Sequence, residues 1–332
     1  MDCRVARGAS ETFYAEHFMA EPTENSAATA LGAELALVAG LRVKFDEPLA
    51  RYTSMKIGGP ADCFVEVETI AAMRALLPLL RLHQARITFL GNGSNVLVSD
   101  RGVRGVVVRL TGEFKKVEWR DEENHVRVHV GAACAITQLV REAARKGYAG
   151  LEFAEGIPGT MGGALVMNAG AYGSEFEKIV AQVDGVLPDG SDARFARAEL
   201  NFSYRTSNLP AGMVVTAVHL RLAKDEASRV SAKLKELVTK RKTSQPAGFP
   251  NSGSMFRNPP GDFAGRLIEA AGLKGSRVGQ AQISERHANF IVNLGGAKAA
   301  EVNQLMEQAK AAVAEKFGVQ LEAEVRLLGD WA

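Results

Sequence analysis

The chain has 332 residues, 46% hydrophobic and 23% charged, an ordinary globular composition that is long enough for two or three domains. Its 40 Lys and Arg nearly cancel 38 Asp and Glu, and the formal charge of +2 excludes the one-signed surface that nucleic-acid binding by charge requires. No apolar run approaches the ~20 residues of a membrane span. Cys3, Cys63 and Cys134 are too scattered for a disulfide framework or a cysteine zinc site, which fits a reducing, cytoplasmic compartment.

Residues 1–42 carry Glu11, Glu16, Glu21 and Glu24 and no signal-peptide core, so they are expected to be an N-terminal extension. After the turn at Gly58-Gly59-Pro60, residues 63–67 alternate as a strand, 70–83 have helical periodicity, and 86–90 and 103–110 read as further strands. This is a small α/β unit spanning 43–111. Between 112 and 222 strands dominate, at 116–119, 125–130, 179–183 and 214–220, with a helix at 135–146 stopped by Gly147 and a hairpin turn at Pro188-Asp189-Gly190. From 223 onward a charged helix at 225–241 leads into a Pro-, Gly- and Ser-rich connector at 245–260. A helix at 265–273, a strand at 289–294, a helix at 299–317 and a strand at 319–328 then follow.

Two glycine-rich segments carry the strongest signal. Residues 156–163, Gly-Ile-Pro-Gly-Thr-Met-Gly-Gly, continue through Asn168-Ala169-Gly170, and Gly91-Asn92-Gly93-Ser94-Asn95 forms a second loop. Glycine lets backbone approach a ligand closely and aim consecutive N–H groups at it, so two such loops point to a large cofactor. The second loop lacks the third glycine and the following helix of a dinucleotide fingerprint, and a pyrophosphate there would be held by loop N–H groups between strands. His125 and His129 stand four apart with strand-like filling, which separates them by roughly 13 Å, so no metal site is expected. No Gly-x-Ser-x-Gly is present to support hydrolase chemistry. Lys240-Arg241-Lys242 is the one tight basic cluster, readable either as a solvated helix end or as an anion site.

Tyr204-Arg205-Thr206-Ser207, residues 253–259 (Gly-Ser-Met-Phe-Arg-Asn-Pro) and Glu324-Val325-Arg326, together with Ile57-Gly58-Gly59-Pro60-Ala61, both glycine segments and His287-Ala288-Asn289-Phe290, resemble the UDP-N-acetylenolpyruvoylglucosamine reductases, the MurB flavoproteins. The motifs fall in the family's order from about residue 51 to the C-terminus. The resemblance implies an α+β fold: a two-subdomain FAD-binding fold of the PCMH/vanillyl-alcohol-oxidase type (43–111 and 112–222) plus a C-terminal α/β substrate-binding domain (223–332). It implies non-covalent FAD held by Ile57, Gly91, Asn92, Gly93, Ser94, Asn95, Gly156, Ile157, Pro158, Gly159, Thr160, Gly162, Gly163, Asn168, Ala169 and Gly170. NADPH would be the co-substrate, and UDP-N-acetylglucosamine enolpyruvate the small-molecule substrate of a monomeric enzyme.

By the same resemblance hydride passes from NADPH to the flavin and then to the alkene. That leaves an enolate for Arg205 and Glu324 to stabilise and Ser254 to protonate. Glu324, beside a substrate carboxylate, is expected to be protonated or paired with Arg326. Tyr204, Lys240, Arg241, Asn258 and Arg326 would bind substrate. Thr243-Ser244-Gln245-Pro246 has no lysine where some family members carry one, which leaves the phosphate-gripping cation open. The short stretch between Arg205 and Ser254 matches the shorter, type II form. Two alternatives are another FAD oxidoreductase of this fold, against which neither glycine loop holds a His or Cys for covalent flavin, and an inactive nucleotide-binding module, against which the polar trio is complete.

Overall fold

The computed structural model describes residues 26–331; most of the expected N-terminal extension, with Cys3, lies outside them. The described part of that extension begins with helix α1 (Ser26–Ala36), whose Leu31 and Leu35 are buried in the core of the first subdomain. Strands β1 (Leu41–Pro48), β2 (Pro60–Val67), β3 (Ile87–Phe89) and β5 (Val103–Leu110) form a sheet in the order β1-β2-β5-β3; β4 (Val96–Val98) stands outside it. Helix α2 (Ile70–Leu82) repeats apolar residues at helical spacing, and its Ala72, Met73, Leu76, Leu77 and Leu80 cover one sheet face. Thr69 caps it by accepting a hydrogen bond from Ala72 N at 3.1 Å. Leu49, Phe64, Leu90, Val98 and Val107 form a core on the other face.

The second subdomain is an antiparallel sheet. Its strands β6 (Val117–Asp121) and β7 (His125–Gly131) are followed by helix α3 (Ile136–Lys146), which ends at Gly147 with φ +76°, and by the short β8 (Tyr148–Ala149). Next come helix α4 (Met161–Val166), the two-residue strands β9 (Gly170–Ala171) and β10 (Ser174–Glu175), then β11 (Val180–Val186) and β12 (Asp192–Ala196). The tiny hairpin β13 (Phe202–Ser203) and β14 (Thr206–Ser207) precedes the long β15 (Val214–Lys224). The main order is β12-β11-β15-β7-β6, and Val126, Val128 and Val130 alternate inward to meet α3 and α4 in one core. The hairpin expected at Pro188-Asp189-Gly190 joins β11 to β12, with Leu187 N bonded to Ser191 O at 2.8 Å and Gly190 at φ +86°.

Helix α5 (Ala227–Ser244) leads to the third unit, made of α6 (Ala264–Ala270), the antiparallel strands β16 (Arg277–Val278), β17 (Ala281–Ile283) and β18 (Ile291–Asn293), and α7 (Ala299–Phe317). The strand expected over 319–328 is realised only as β19 (Arg326–Leu328), which pairs in parallel with β4 of the first subdomain. The preceding segment makes only an isolated bridge, Phe256 with Ala323, because its hydrogen bonds go to the connector. Asp100 of the first subdomain accepts Ala299 N and Ala300 N at 2.9 and 3.0 Å and so caps α7. Asn293 Nδ2 donates to Met55 O at 2.9 Å. The C-terminal unit is thereby fastened directly to the first subdomain, beside the loop at Gly91.

Candidate active site

The two glycine segments, more than sixty residues apart in the chain, are tied together. Asn92 Nδ2 donates to Gly159 O at 3.2 Å, and Ser94 Oγ donates to Pro158 O at 3.1 Å. A Cβ at Gly91 would fall 2.7 Å from Thr160 Oγ1, and Gly159 sits at φ +132°, so side chains at either position would force the loops apart. The second segment is not all loop: Thr160 caps the six-residue α4, accepting Gly163 N at 3.4 Å, and the helix explains the apolar spacing between its glycines. Between the loops lies a cavity of about 580 Å³, within the range of small-molecule sites.

Arg205 reaches this cavity from the turn between β13 and β14, at φ +60°. Asn168, fully buried at φ +37°, holds that turn: its Nδ2 donates to Ser203 O at 3.1 Å and to Glu175 Oε2 at 2.6 Å, while its Oδ1 accepts Glu177 N at 3.2 Å. Ser207 Oγ donates to Val166 O at 3.0 Å, which fastens the other side of the turn to the end of α4. Arg205 Nε then donates to Glu324 Oε1 at 2.8 Å, an ion pair across 119 residues with side chains only 20% and 15% exposed. Glu324 is therefore paired with Arg205 instead of Arg326, the partner offered from sequence as the alternative to a protonated carboxyl. The chain bends at Val325, whose side chain is buried in the C-terminal core, so Glu324 stands outside the strand that begins at Arg326.

The backbone at Glu324 is fixed by Glu324 N to Met255 O at 2.8 Å and by Asn95 Nδ2 to Glu324 O at 3.1 Å. Ser254 stands on the same scaffold, bridged to Phe290 and followed by Met255 N to Asn289 O at 2.8 Å. Thus Arg205, Ser254 and Glu324 come from three separate segments to one cavity wall, joined by Arg241, Gln245 and Arg326.

The cavity is electropositive, lined by Arg109, Lys115, Arg205, Arg241 and Arg326 against the single carboxylate of Glu324. Arg241 is half-buried: its Nη1 donates to Glu155 O at 3.4 Å, and burial lowers its pKa from the ordinary arginine value. Gly156 makes room for it, since a Cβ there would meet Arg241 Cδ at 2.5 Å. A Cβ at Gly163 would touch only Thr160 Oγ1 and one at Gly253 would meet no atom within 4 Å, so backbone faces open space on both sides of the cavity. A long, flat, anionic ligand such as FAD fits residues of this kind.

Of the residues expected to hold cofactor, those of the Gly91–Asn95 loop and Ile157, Pro158, Gly159, Thr160, Gly162, Gly163, Ala169 and Gly170 line the cavity. Ile57 is buried in the C-terminal core, and Gly156 and Asn168 stand behind the wall in the supporting roles just described. Among the expected substrate contacts, Arg241 and Arg326 line it. Tyr204 lies against the Arg205 guanidinium at 4.9 Å, Lys240 sits over the Tyr172 ring at 5.7 Å, and the exposed Asn258 accepts Ala264 N at 3.1 Å at the start of α6. Phe89, Arg109 and Lys115 also line the cavity and were not singled out from sequence, while Gln245 and Phe290 line it after being quoted only as members of longer motifs. The ends of β3 and β5 beside the Gly91 loop were the signal for Phe89 and Arg109.

Comparison with known proteins agrees with this geometry. Residues 245–328 match the C-terminal domain of UDP-N-acetylenolpyruvoylglucosamine reductase, and residues 61–195 match an FAD binding domain. UDP-N-acetylenolpyruvoylglucosamine reductase 2 of Symbiobacterium thermophilum is 46% identical over 289 residues, covering 87% of this chain and 92% of the relative. The reductase of Syntrophus aciditrophicus is 43% identical with the same coverage. The crystal structure of the reductase (MurB) from Thermus caldophilus superposes with a TM-score of 0.74 at 39% identity, covering 87% of this chain and 98% of that one. The chain belongs to the UDP-N-acetylenolpyruvoylglucosamine reductases, FAD-dependent oxidoreductases of peptidoglycan precursor synthesis.

Proposed function

We propose that this chain reduces the enolpyruvyl ether of UDP-N-acetylglucosamine enolpyruvate to the lactyl ether of UDP-N-acetylmuramate, with NADPH as the reductant, and that Arg205, Ser254 and Glu324 carry the chemistry. Bound FAD supplies hydride; the residues of the two tied glycine loops would hold it. The observation that carries the reading is that these three residues line one electropositive cavity together with both loops, with Arg205 and Glu324 paired.

The protein's own share follows from charge. Hydride addition at the β-carbon leaves negative charge on the α-carbon, delocalised into the adjoining carboxylate as an enolate, and the Arg205 guanidinium, oriented by Glu324, offers donors to that developing charge. Its positive φ aims the side chain into the cavity from a turn anchored by Asn168, so little reorganisation is needed when charge appears. Ser254 gives its hydroxyl proton to the α-carbon; a serine is a weak acid, and delivery to a strongly basic enolate at short range is what makes it adequate. Arg109, Lys115, Arg241 and Arg326 are the cavity cations left to meet the diphosphate of a bound nucleotide or the substrate carboxylate.

The reading includes a cytoplasmic, monomeric enzyme; Cys63 and Cys134 are free, and no helix among the described residues is long and apolar enough to cross a membrane. The purified protein is expected to be yellow, to bleach with NADPH under anaerobic conditions, and to regain colour on addition of the enolpyruvyl substrate. Protein that takes up no FAD, or that bleaches and ignores this substrate, would refute the assignment.

A further inference from the structure

We propose that His129, Asp184 and His219 form a binding site for a divalent transition cation of the zinc type on the outer face of the second sheet, apart from the flavin crevice. The three residues lie on the adjacent strands β7, β11 and β15. His129 and His219 are direct cross-strand partners, and Asp184 pairs with Ala217, two residues from His219 and on the same face. One ligand atom from each lies within 4.8 Å of the others. Tetrahedral zinc, with bonds of ~2.0–2.2 Å, needs its ligand atoms about 3.5 Å apart, so the ring and carboxylate rotations required are small. The sequence offered only His125 as a companion for His129, along one strand and out of reach; the sheet supplies the companions from neighbouring strands.

Hydrogen bonding at the cluster points the same way. His129 Nδ1 is buried and has no hydrogen-bond partner, a state that buried ring nitrogens rarely keep. Asp184 is already divided between two tasks. Its Oδ1 accepts Gln182 Nε2 at 3.0 Å, which orients the carboxylate, and Arg194 Nε at 2.8 Å, whose charge competes with a cation, while its Oδ2 meets His219 Nε2 at 2.7 Å. A cation takes the place of the proton between His219 and Oδ2, and the bond lost is the longer one from Arg194 Nη2, at 3.3 Å. A separate cavity of about 600 Å³ between this sheet and α2 opens onto His129, Asp184 and Arg194, which gives an ion access and leaves positions for water.

The test is equilibrium dialysis of the untagged, FAD-loaded protein, stripped with chelator, against micromolar zinc, with bound metal measured by elemental analysis. One equivalent is expected in the unmodified protein. His129→Asn and His219→Asn should each weaken binding at least tenfold, and His125→Asn should leave it unchanged. Arg194→Gln, which changes only an exposed side chain competing for Asp184, should tighten it. Retained FAD and a cooperative melt in chelator establish that each variant folds. Sub-stoichiometric binding by the unmodified protein overturns the site, as does binding that survives either histidine substitution, including an ion at the exposed His83–Glu34 pair. The Arg194→Gln gain keeps the proposal falsifiable if a histidine variant does not fold.

Discussion

At the scale of single residues, the site depends on groups that are individually unremarkable. Ser254 is a serine after a glycine, Arg205 an arginine in a turn, and Glu324 a glutamate near the C-terminus; the chemistry proposed for them rests on their lining one cavity. Positioned acid catalysis contributes ~10²–10⁴-fold, so Ser254→Ala should slow substrate-driven flavin reoxidation by about that factor and leave NADPH-driven bleaching nearly unchanged. Stopped-flow measurement of the two half-reactions separates the outcomes, and equal loss in both would remove Ser254 from the proton step. Arg205 and Glu324 act as a pair at 2.8 Å, so Arg205→Gln and Glu324→Gln should each lower turnover, and the double variant should be little worse than the poorer single. A coupling of about 0.5–3 kcal/mol in the cycle is expected for side chains in contact, and strict additivity would mean that they act independently. The trio was legible in the sequence through the family's motifs. The partner of Glu324 was not, because choosing between Arg205 and Arg326 needs the direction of each side chain.

Elements show what periodicity can and cannot reveal. Helix α7 falls where apolar spacing over 299–317 puts it, and β5 matches residues 103–110, because both have a well-formed buried face. Helix α4 escaped notice: six residues with two glycines carry almost no helical signal, and its formation rests on the Thr160 cap and on packing of Met161 and Leu165 into the core. Strand β19 was overextended in the sequence reading, since alternation over 319–328 cannot tell ladder pairing from isolated bridges. Asp100 is the element-level contact with the clearest consequence, because it caps α7 from another unit. Asp100→Ala should cost about 0.5–2 kcal/mol in urea denaturation, as lost helix caps do. Asp100→Asn, which keeps an acceptor oxygen, should recover much of it; equal losses in the two variants would show that the cap bonds are not the cause.

Across the whole molecule, the cavity belongs to no single unit. The Gly91 loop comes from the first subdomain, the segment at 156–170 and the Arg205 turn from the second, and Ser254 and Glu324 from the third, with β19 paired to β4 closing the arrangement. Stability of that assembly should fall in mild acid. Burial lowers the His287 pKa, and His287 Nδ1 accepts Asn289 N at 3.2 Å beside the segment that carries Ser254's bridge partner Phe290. With the folded value below the unfolded ~6.5, the unfolded chain binds more protons between the two, so stability is full above about pH 6.5 and declines as pH falls toward the folded value. Urea midpoints measured from pH 7.5 to 5 should decline, and His287→Asn should flatten the slope in part, since half-buried His129 shifts the same way. An unchanged slope would exclude His287. The sequence by itself determined the order and kind of the main elements, the family's motifs and the two glycine segments, because periodicity, turn chemistry and motif spacing are local properties of the chain. Only the tertiary structure decided that Asn92 and Ser94 bind the other glycine segment, that Glu324 pairs with Arg205, that Asn168 supports rather than lines the cavity, and that His129 meets His219 and Asp184. Each of these contacts joins residues brought together by sheet register or by packing between units, and no local pattern records which distant segment a side chain will face.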